Sequence, residues 1–162
     1  MDQDRSRWNR LLIQRGLAAL EKAESLTGAL GPYTLQAEIA ACHARARAAD
    51  ETEWTRISAL YDALAQLTPS PVVELNRAVA YAMAFGPAEG LAIVEPLRED
   101  AMMKGYHLLH AVRGDFLFKL GRFGEAKVEF ESAAGMTRNE RERTLMEGRA
   151  RECEAREERK RL

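Results

Sequence analysis

The sequence has few cysteines and no marked excess of either charge. Its two cysteines, Cys42 and Cys153, are too few for a disulfide framework or a cysteine-based zinc site. Lysine and arginine number 24, aspartate and glutamate number 25, and the formal net charge is -1. Domains that bind nucleic acid usually carry a basic excess because they neutralise phosphates. We therefore expect no direct nucleic-acid contact by this chain.

Long apolar runs and the common catalytic motifs are also missing. No stretch approaches the roughly 18 apolar residues of a membrane span, and residues 1–5 are too polar for a signal peptide. No His-Glu-x-x-His, Cys-x-x-Cys, phosphate-binding loop or dinucleotide motif occurs. We therefore expect a cytoplasmic protein without membrane contact, cofactor, bound metal or catalytic residues.

The two cysteines are expected to have structural surroundings only. Cys42 lies in an alanine-rich stretch of the second helix and is predicted to lie in the core, whereas Cys153, among arginines and glutamates, is predicted to be half exposed. A catalytic pair of Cys42 with His43 is excluded, because consecutive side chains on a helix point about 100° apart.

What the sequence does contain is helical periodicity from end to end. Short breaks rich in glycine and proline divide it into eight predicted helices, near 4–28, 33–49, 52–67, 71–84, 87–98, 105–120, 122–135 and 138–158. Thr137 with Glu140 matches a capping box before the last of them. Because the turns are short, sequential helices should pack as antiparallel hairpins.

A tetratricopeptide-like repeat lies within this series. Its small and apolar positions are Gly114, Leu117, Gly121, Phe123, Ala126, Phe130 and Ala133, with weaker copies in 71–98 and 33–67. The fold class predicted is all-α, with antiparallel helix hairpins stacked as a short tetratricopeptide-like right-handed superhelix. One domain would span 1–162, with a linking helix at 1–30, three hairpins at 33–135 and a capping helix at 138–158.

The first helix carries more apolar surface than an end helix needs. One stripe contains Trp8, Leu11, Leu12, Ala19, Ala23 and Leu26, and a second, offset stripe contains Ile13, Leu17 and Leu20. An end helix that is buried on one side needs a single stripe. Either one wide face is wrapped by neighbouring helices, or the second stripe packs on protein outside this chain.

Polar residues interrupt the apolar fourth helix and form the candidate protein-binding site. They are Glu74, Asn76 and Arg77, and Gln36, His43 and Arg113 could extend the same groove. The first helices of stacked hairpins line a concave surface, where such groups read a partner's backbone or carboxylates. The alternative is that Glu74 and Arg77 satisfy buried polar groups between hairpins and that Asn76 bonds a neighbouring loop. The other three residues would then face solvent or bond between helices.

Several blocks of the chain resemble the C-terminal extension of bacterial extracytoplasmic-function (ECF) RNA polymerase sigma factors, in the group whose extension is tetratricopeptide-like. The blocks are 2–8 (DQDRSRW), 31–37 (GPYTLQA) with 39–43 (IAACH), Trp54 with 57–64 (ISALYDAL), 69–79 (PSPVVELNRAV), 105–109 (GYHLL) with 113–114, and 137–143 (TRNERER). They span nearly the whole chain. Glu38 departs from the family, which more often has a small residue there.

The resemblance implies a role in transcription initiation. It implies that the chain is part of a longer protein, that Met1 is not the natural start, and that the sigma modules that bind core polymerase and promoter DNA lie elsewhere. The expected partners are those modules, core RNA polymerase or both, with promoter DNA reached only through the modules. A homo-oligomer is also compatible with the sequence.

Two other functional classes stay open at this point. A free-standing tetratricopeptide adaptor would bind a short acidic or C-terminal peptide, but it leaves the block 2–8 unexplained. An enzyme or small-molecule sensor would need an enclosed pocket with convergent titratable groups, for instance around His43, Glu74 and Arg77.

Overall fold

The computed structural model of the chain describes residues 5–26 and 31–161, which form helices joined by turns and contain no β-strand. A short 3-10 helix, Arg5–Arg7, comes first. The α-helices within the described ranges are α1 (Arg10–Leu26), α2 (Pro32–Arg45), α3 (Trp54–Leu67), α4 (Pro71–Phe85), α5 (Pro87–Leu97), α6 (His107–Lys119), α7 (Phe123–Met136) and α8 (Glu140–Arg161). The predicted all-α class with eight helices is confirmed. Residues 2–4 belong to the block 2–8 that resembles the sigma-factor extension, and residues 27–28 belong to the predicted first helix. Both ranges lie outside the residues that the structure describes.

Proline and glycine set the helix limits as the sequence predicts. Pro32, Pro71 and Pro87 are the first residues of α2, α4 and α5, where the missing N–H removes no helical hydrogen bond. Gly86 and Gly121 precede α5 and α7 with φ angles of 108° and 73°. Only glycine adopts such left-handed conformations without steric cost.

The start of the first helix differs from the prediction. Residues near 4 were expected to be α-helical, but α1 begins at Arg10. Asn9 accounts for the difference, because its Oδ1 accepts a hydrogen bond from the backbone N–H of Leu12 at 3.2 Å. This contact caps α1 and separates it from the preceding 3-10 helix.

The capping box predicted before the last helix is wrong in detail. Asn139, rather than Thr137, caps α8: its Oδ1 accepts from the backbone N–H of Arg141 at 3.0 Å. The Thr137 hydroxyl instead donates to Oε2 of Glu142 at 2.7 Å. The helix thus begins at Glu140, with Glu142 rather than Glu140 as the acidic partner of the threonine.

The chain divides into two compact units, Met1–Val73 and Glu74–Leu162. In the first unit α1 packs on α2, and α2 packs on α3. Its most deeply buried side chains include Leu35, Cys42, Ile57 and Leu64. These residues come from the two hairpin-forming helices α2 and α3, so that pair provides the core on which α1 rests.

In the second unit α5 packs on α6, α6 on α7, and α7 on α8. Its core contains Leu75, Ala78, Leu91, Val94, Met103, Leu109, Phe116, Leu117, Ala126, Phe130, Ala150 and Cys153. The repeat positions Leu117, Ala126 and Phe130 are therefore core residues. A side chain at Gly114 would place its Cβ 2.9 Å from the Phe130 ring, which explains why a small residue stands there.

Both cysteines are buried free thiols. The core position predicted for Cys42 is confirmed, but the half-exposed position predicted for Cys153 is wrong, because its exposed fraction is 0%. Helix α8 packs on α7, and its residues Ala150 and Cys153 belong to the core of the second unit. Burial raises the pKa of both thiols, so neither favours the reactive thiolate.

Across residues 5–26 and 31–161, no helix combines the length and the apolar character needed to cross a membrane.

Candidate functional site

The six predicted binding residues are divided between the two units. Gln36 and His43 lie on α2 in the first unit. Glu74, Asn76 and Arg77 lie on α4, and Arg113 lies on α6, in the second unit.

In the first unit, Gln36 is exposed and His43 is half-buried. The His43 ring meets Trp54 edge to face, with 5.2 Å between ring centroids. Burial lowers the pKa of His43, and the nearby charge of Arg5 lowers it further. The imidazole is therefore a neutral packing group at pH 7.

On α4 the polar residues form a local pair. Oε2 of Glu74 lies 2.9 Å from the Arg77 guanidinium, and that guanidinium also stacks over Tyr81, 5.2 Å from the ring centroid. Asn76 is exposed. Of the three, Asn76 has the side chain that is most accessible to solvent.

Arg113 lies inside the second unit, where it joins three helices. Its exposed fraction is 7%. Its Nε and Nη2 donate to Oε1 of Glu95 on α5 at 3.0 and 2.9 Å, and its Nη1 donates to Glu129 on α7. His110 Nδ1 lies 2.8 Å from the other oxygen of Glu129. Arg113 is thus engaged by carboxylates of the same chain, beside a small cavity of about 150 Å³.

No cluster of three or more potential metal ligands occurs among the residues that the structure describes.

The two apolar stripes of the first helix have different surroundings. The offset stripe faces α2: Leu20 is buried, and Ile13 and Leu17 are half-buried. In the other stripe Leu11 and Leu12 are exposed, with exposed fractions of 55% and 61%, and Trp8 is half-buried. The alanines of this stripe, Ala19 and Ala23, are exposed as well. The unit therefore presents a row of apolar side chains on α1.

Between α1 and α2 runs an apolar groove, here called the α1–α2 groove. Its volume is about 250 Å³, and it is lined by Ile13, Gly16, Leu17, Leu20, Ala37, Ala40, Ala41 and Ala44. The large side chains come from α1 and the alanines from α2. Because every lining side chain is apolar or absent, the groove suits an apolar ligand surface.

One end of this groove is strongly basic. A second cavity, of about 310 Å³, shares Ile13 and Ala44 with the α1–α2 groove and is lined beyond them by Arg5, Trp8, Arg10, Gln14, Arg45, Ala46 and Arg47. We call Arg10, Arg45 and Arg47 the arginine end. The surface thus combines an apolar channel with a cluster of cations.

Arg5 has a structural role at this place. Its Nη1 donates to the backbone carbonyls of His43 and Ala46 at 3.1 and 2.7 Å, and its Nη2 donates to Oγ1 of Thr52 at 3.1 Å. The carbonyls at the end of a helix lack intrahelical partners. Arg5 satisfies them, and its guanidinium stacks 5.4 Å from the centre of the Trp8 ring. It thereby ends α2 at Arg45, earlier than predicted.

Replacement of Arg5 by alanine is expected to lower the free energy of unfolding by about 1–2 kcal/mol, because charged donors are lost from two carbonyls and a buried hydroxyl. Urea unfolding followed by circular dichroism measures the change. Arg7→Ala is the matched control, since Arg7 is exposed in the same 3-10 helix. Equal stability of the two variants would show that the Arg5 contacts contribute nothing.

Glu38 is a buried carboxylate, with an exposed fraction of 2%. Its Oε2 accepts from Arg56 at 2.7 Å and lies 3.6 Å from Arg45. Its Oε1 has no hydrogen-bond partner among the described residues. Glu38 thus links α2 to α3 through an ion pair between a buried carboxylate and the exposed guanidinium of Arg56.

The α2 side of the groove was not predicted from the sequence. A signal was present, because Ala37, Ala40, Ala41 and Ala44 follow the i, i+3, i+4, i+7 spacing of one helix face. Alanine runs are also common in buried helices, so the spacing alone does not distinguish a groove from a core.

The chain is similar to an uncharacterized protein of Rhizobium meliloti (strain 1021). The two are 47% identical over 138 residues, which is 85% of this chain and 32% of that protein. No known protein family matches the chain in a family scan, and no solved structure matches it. The chain spans about a third of the length of the relative that it matches.

Proposed function

We propose that this chain is the C-terminal regulatory, protein-interaction domain of an ECF RNA polymerase sigma factor. It acts in transcription initiation, in the cytoplasm, by contacting the sigma modules, core polymerase or a partner protein. No catalytic step, cofactor or direct DNA contact is assigned to it. The sigma-factor assignment depends on the resemblance of blocks such as 69–79 and 137–143.

The observation that carries the interaction role is the open apolar surface of the first unit. Leu11 and Leu12 are more than half exposed, and the α1–α2 groove lies on the same helix. Leu11 and Leu12 lie outside the lining of this groove. An apolar groove on a folded unit often marks a contact with another protein. The R. meliloti relative supports a modular arrangement, because about two thirds of that protein lie outside the match.

A transcription assay tests the proposal. The complete protein and a variant without this domain are compared with core polymerase on a cognate promoter. We expect removal of the domain to change transcript yield, because the apolar surface then no longer contacts the transcription complex. Circular dichroism of the shortened protein confirms that the sigma modules stay folded. Equal transcript yields from both proteins would contradict the proposal.

The arginine end supports one alternative, a free-standing tetratricopeptide adaptor. Three arginines beside an apolar channel suit a short acidic peptide. An adaptor binds such a peptide and functions without any sigma module on the same chain. The complete reading frame that contains this chain distinguishes the two, because an adaptor has no sigma modules.

A further inference from the structure

We propose that the α1–α2 groove binds a single amphipathic helix of a partner protein, whose acidic residues meet the arginine end. This inference rests on the proposed function, because it names the kind of segment that the interaction domain takes. It specifies what occupies the groove, at which end of the groove the acidic residues of the partner lie, and which residues of this chain contact the partner.

The lining of the groove fits a helix better than an extended peptide. Ile13, Leu17 and Leu20 form one wall and the alanines of α2 form the other. A peptide that binds as an added strand needs backbone hydrogen-bond partners from a sheet edge, and helices α1 and α2 offer none along the groove because their amides bond within each helix. A helix satisfies its own backbone and presents only side chains.

The dimensions of the groove set the length of the occupant. From Arg10 to Leu20 the helix α1 advances about 15 Å, at roughly 1.5 Å per residue. A partner helix of about three turns covers that distance. Its apolar residues are expected at i, i+3 or i+4, and i+7, the spacing that places them on one face.

The charges at the arginine end select an acidic partner. Arg10 and Arg47 form no ion pair with any residue in the described part of the chain, and Arg45 lies 3.6 Å from Glu38. That carboxylate is already held by Arg56 at 2.7 Å. Glu51 accepts a hydrogen bond from the backbone N–H of Arg47 rather than from its guanidinium. Carboxylates of a partner therefore find unpaired guanidinium groups, which bind them in a bidentate manner.

The test uses two synthetic, fluorescein-labelled peptides of roughly 14 residues, about four helical turns. Both carry leucines on one face, and their first turns contain either glutamates or glutamines. Fluorescence anisotropy with the full chain measures binding. We expect the glutamate peptide to bind about three- to tenfold more tightly, which is the range for two or three exposed ion pairs. The difference should shrink in high salt because salt screens exposed charges.

Two pairs of variants assign the binding to the groove. Ala40→Glu places a charge in the groove and should lower the affinity for both peptides by about tenfold or more. Ala59→Glu, at an exposed position of α3, should leave both affinities unchanged. Arg10→Glu with Arg47→Glu should abolish the preference for glutamate and leave the glutamine peptide unaffected. Arg141→Glu with Arg151→Glu, on exposed positions of α8, is the control.

Three results would overturn the inference. They are failure of both peptides to bind, binding that Ala40→Glu leaves unchanged, and a dimer in sedimentation that Ala40→Glu dissociates, because a second copy then occupies the groove. The transcription assay is separate. If removal of the domain changes transcription while the peptides do not bind, the groove inference alone fails. If the peptides bind and transcription is unchanged, the proposed function fails.

Discussion

Replacement of Glu129 by alanine is expected to lower the free energy of unfolding by about 3 kcal/mol, the lower part of the range for breaking a buried ion pair. Glu129 accepts from Arg113 and His110 inside the second unit. Without it, the buried guanidinium keeps only Glu95, which lies nearer to solvent. Urea unfolding of the wild type and the variant measures the difference.

Glu125 provides the matched control on the same helix. It forms an ion pair with Arg122, in which both side chains are exposed. Exposed pairs contribute little to stability because water screens them. We therefore expect Glu125→Ala to change stability far less than Glu129→Ala. Similar losses of stability in both variants would show that the Arg113 network contributes no more than an exposed ion pair.

The same carboxylate makes the stability depend on pH. Burial alone would raise the pKa of Glu129, but the hydrogen bond from His110 and the charge of Arg113 outweigh it and hold the pKa below its ordinary value of 4.5. As the pH falls, Glu129 therefore takes up a proton more readily in the unfolded state than in the folded state. The contribution of ionised Glu129 to stability is complete above pH 4.5 and is lost as the pH falls further. The difference in the free energy of unfolding between the wild type and Glu129→Gln should therefore become smaller as the pH falls below 4.5. A constant gap would contradict this assignment.

Replacement of Gly90 by leucine is expected to destabilise the chain by about 3 kcal/mol or more, through overpacking. A Cβ at this position would lie 2.6 Å from the Cβ of Ala82, 2.7 Å from the backbone oxygen of Ala78 and 2.9 Å from the Phe116 ring. The first two atoms belong to or adjoin the backbone of α4 and cannot rotate away. Helix α5 must therefore move away from α4, which opens the core.

Helix propensity acts in the opposite direction, because leucine favours a helix by somewhat under 1 kcal/mol relative to glycine. Gly148→Leu isolates that effect: the position lies within α8, and its Cβ would meet only the end of the Arg151 side chain at 4.0 Å. We expect Gly148→Leu to leave stability unchanged or to raise it. Thermal unfolding of both variants should show melting temperatures that shift in opposite directions. A stable Gly90→Leu variant would show that α4 and α5 are not packed as closely as described.

Local patterns predicted most of the secondary structure. First-turn prolines such as Pro32 and Pro87 mark helix starts because their effect depends only on their own backbone. Gly121 marks a turn for the same reason, and the repeat residues Leu117 and Phe130 have the spacing of a hairpin seam. These predictions needed no knowledge of which helices become neighbours.

Predictions that depended on a choice between competing local contacts were less accurate. Thr137 had two acidic residues within reach, and it contacts Glu142 rather than Glu140. Asn9 and Arg5 each altered a helix limit, through a cap in one case and through bonds to distant carbonyls in the other. The Arg5 contacts join residues about forty positions apart, and no local pattern indicates such a bond.

By itself, the amino-acid sequence determined the all-helical class, the number of helices and the seams within the repeats, because periodicity and backbone restrictions act over a few residues. The tertiary structure decided which stripe of α1 is covered, that Cys153 is buried against α7, and that Arg113 is enclosed by Glu95 and Glu129. In each case the outcome depends on which surface another helix brings to the same place, and that is a property of the packed chain rather than of any segment.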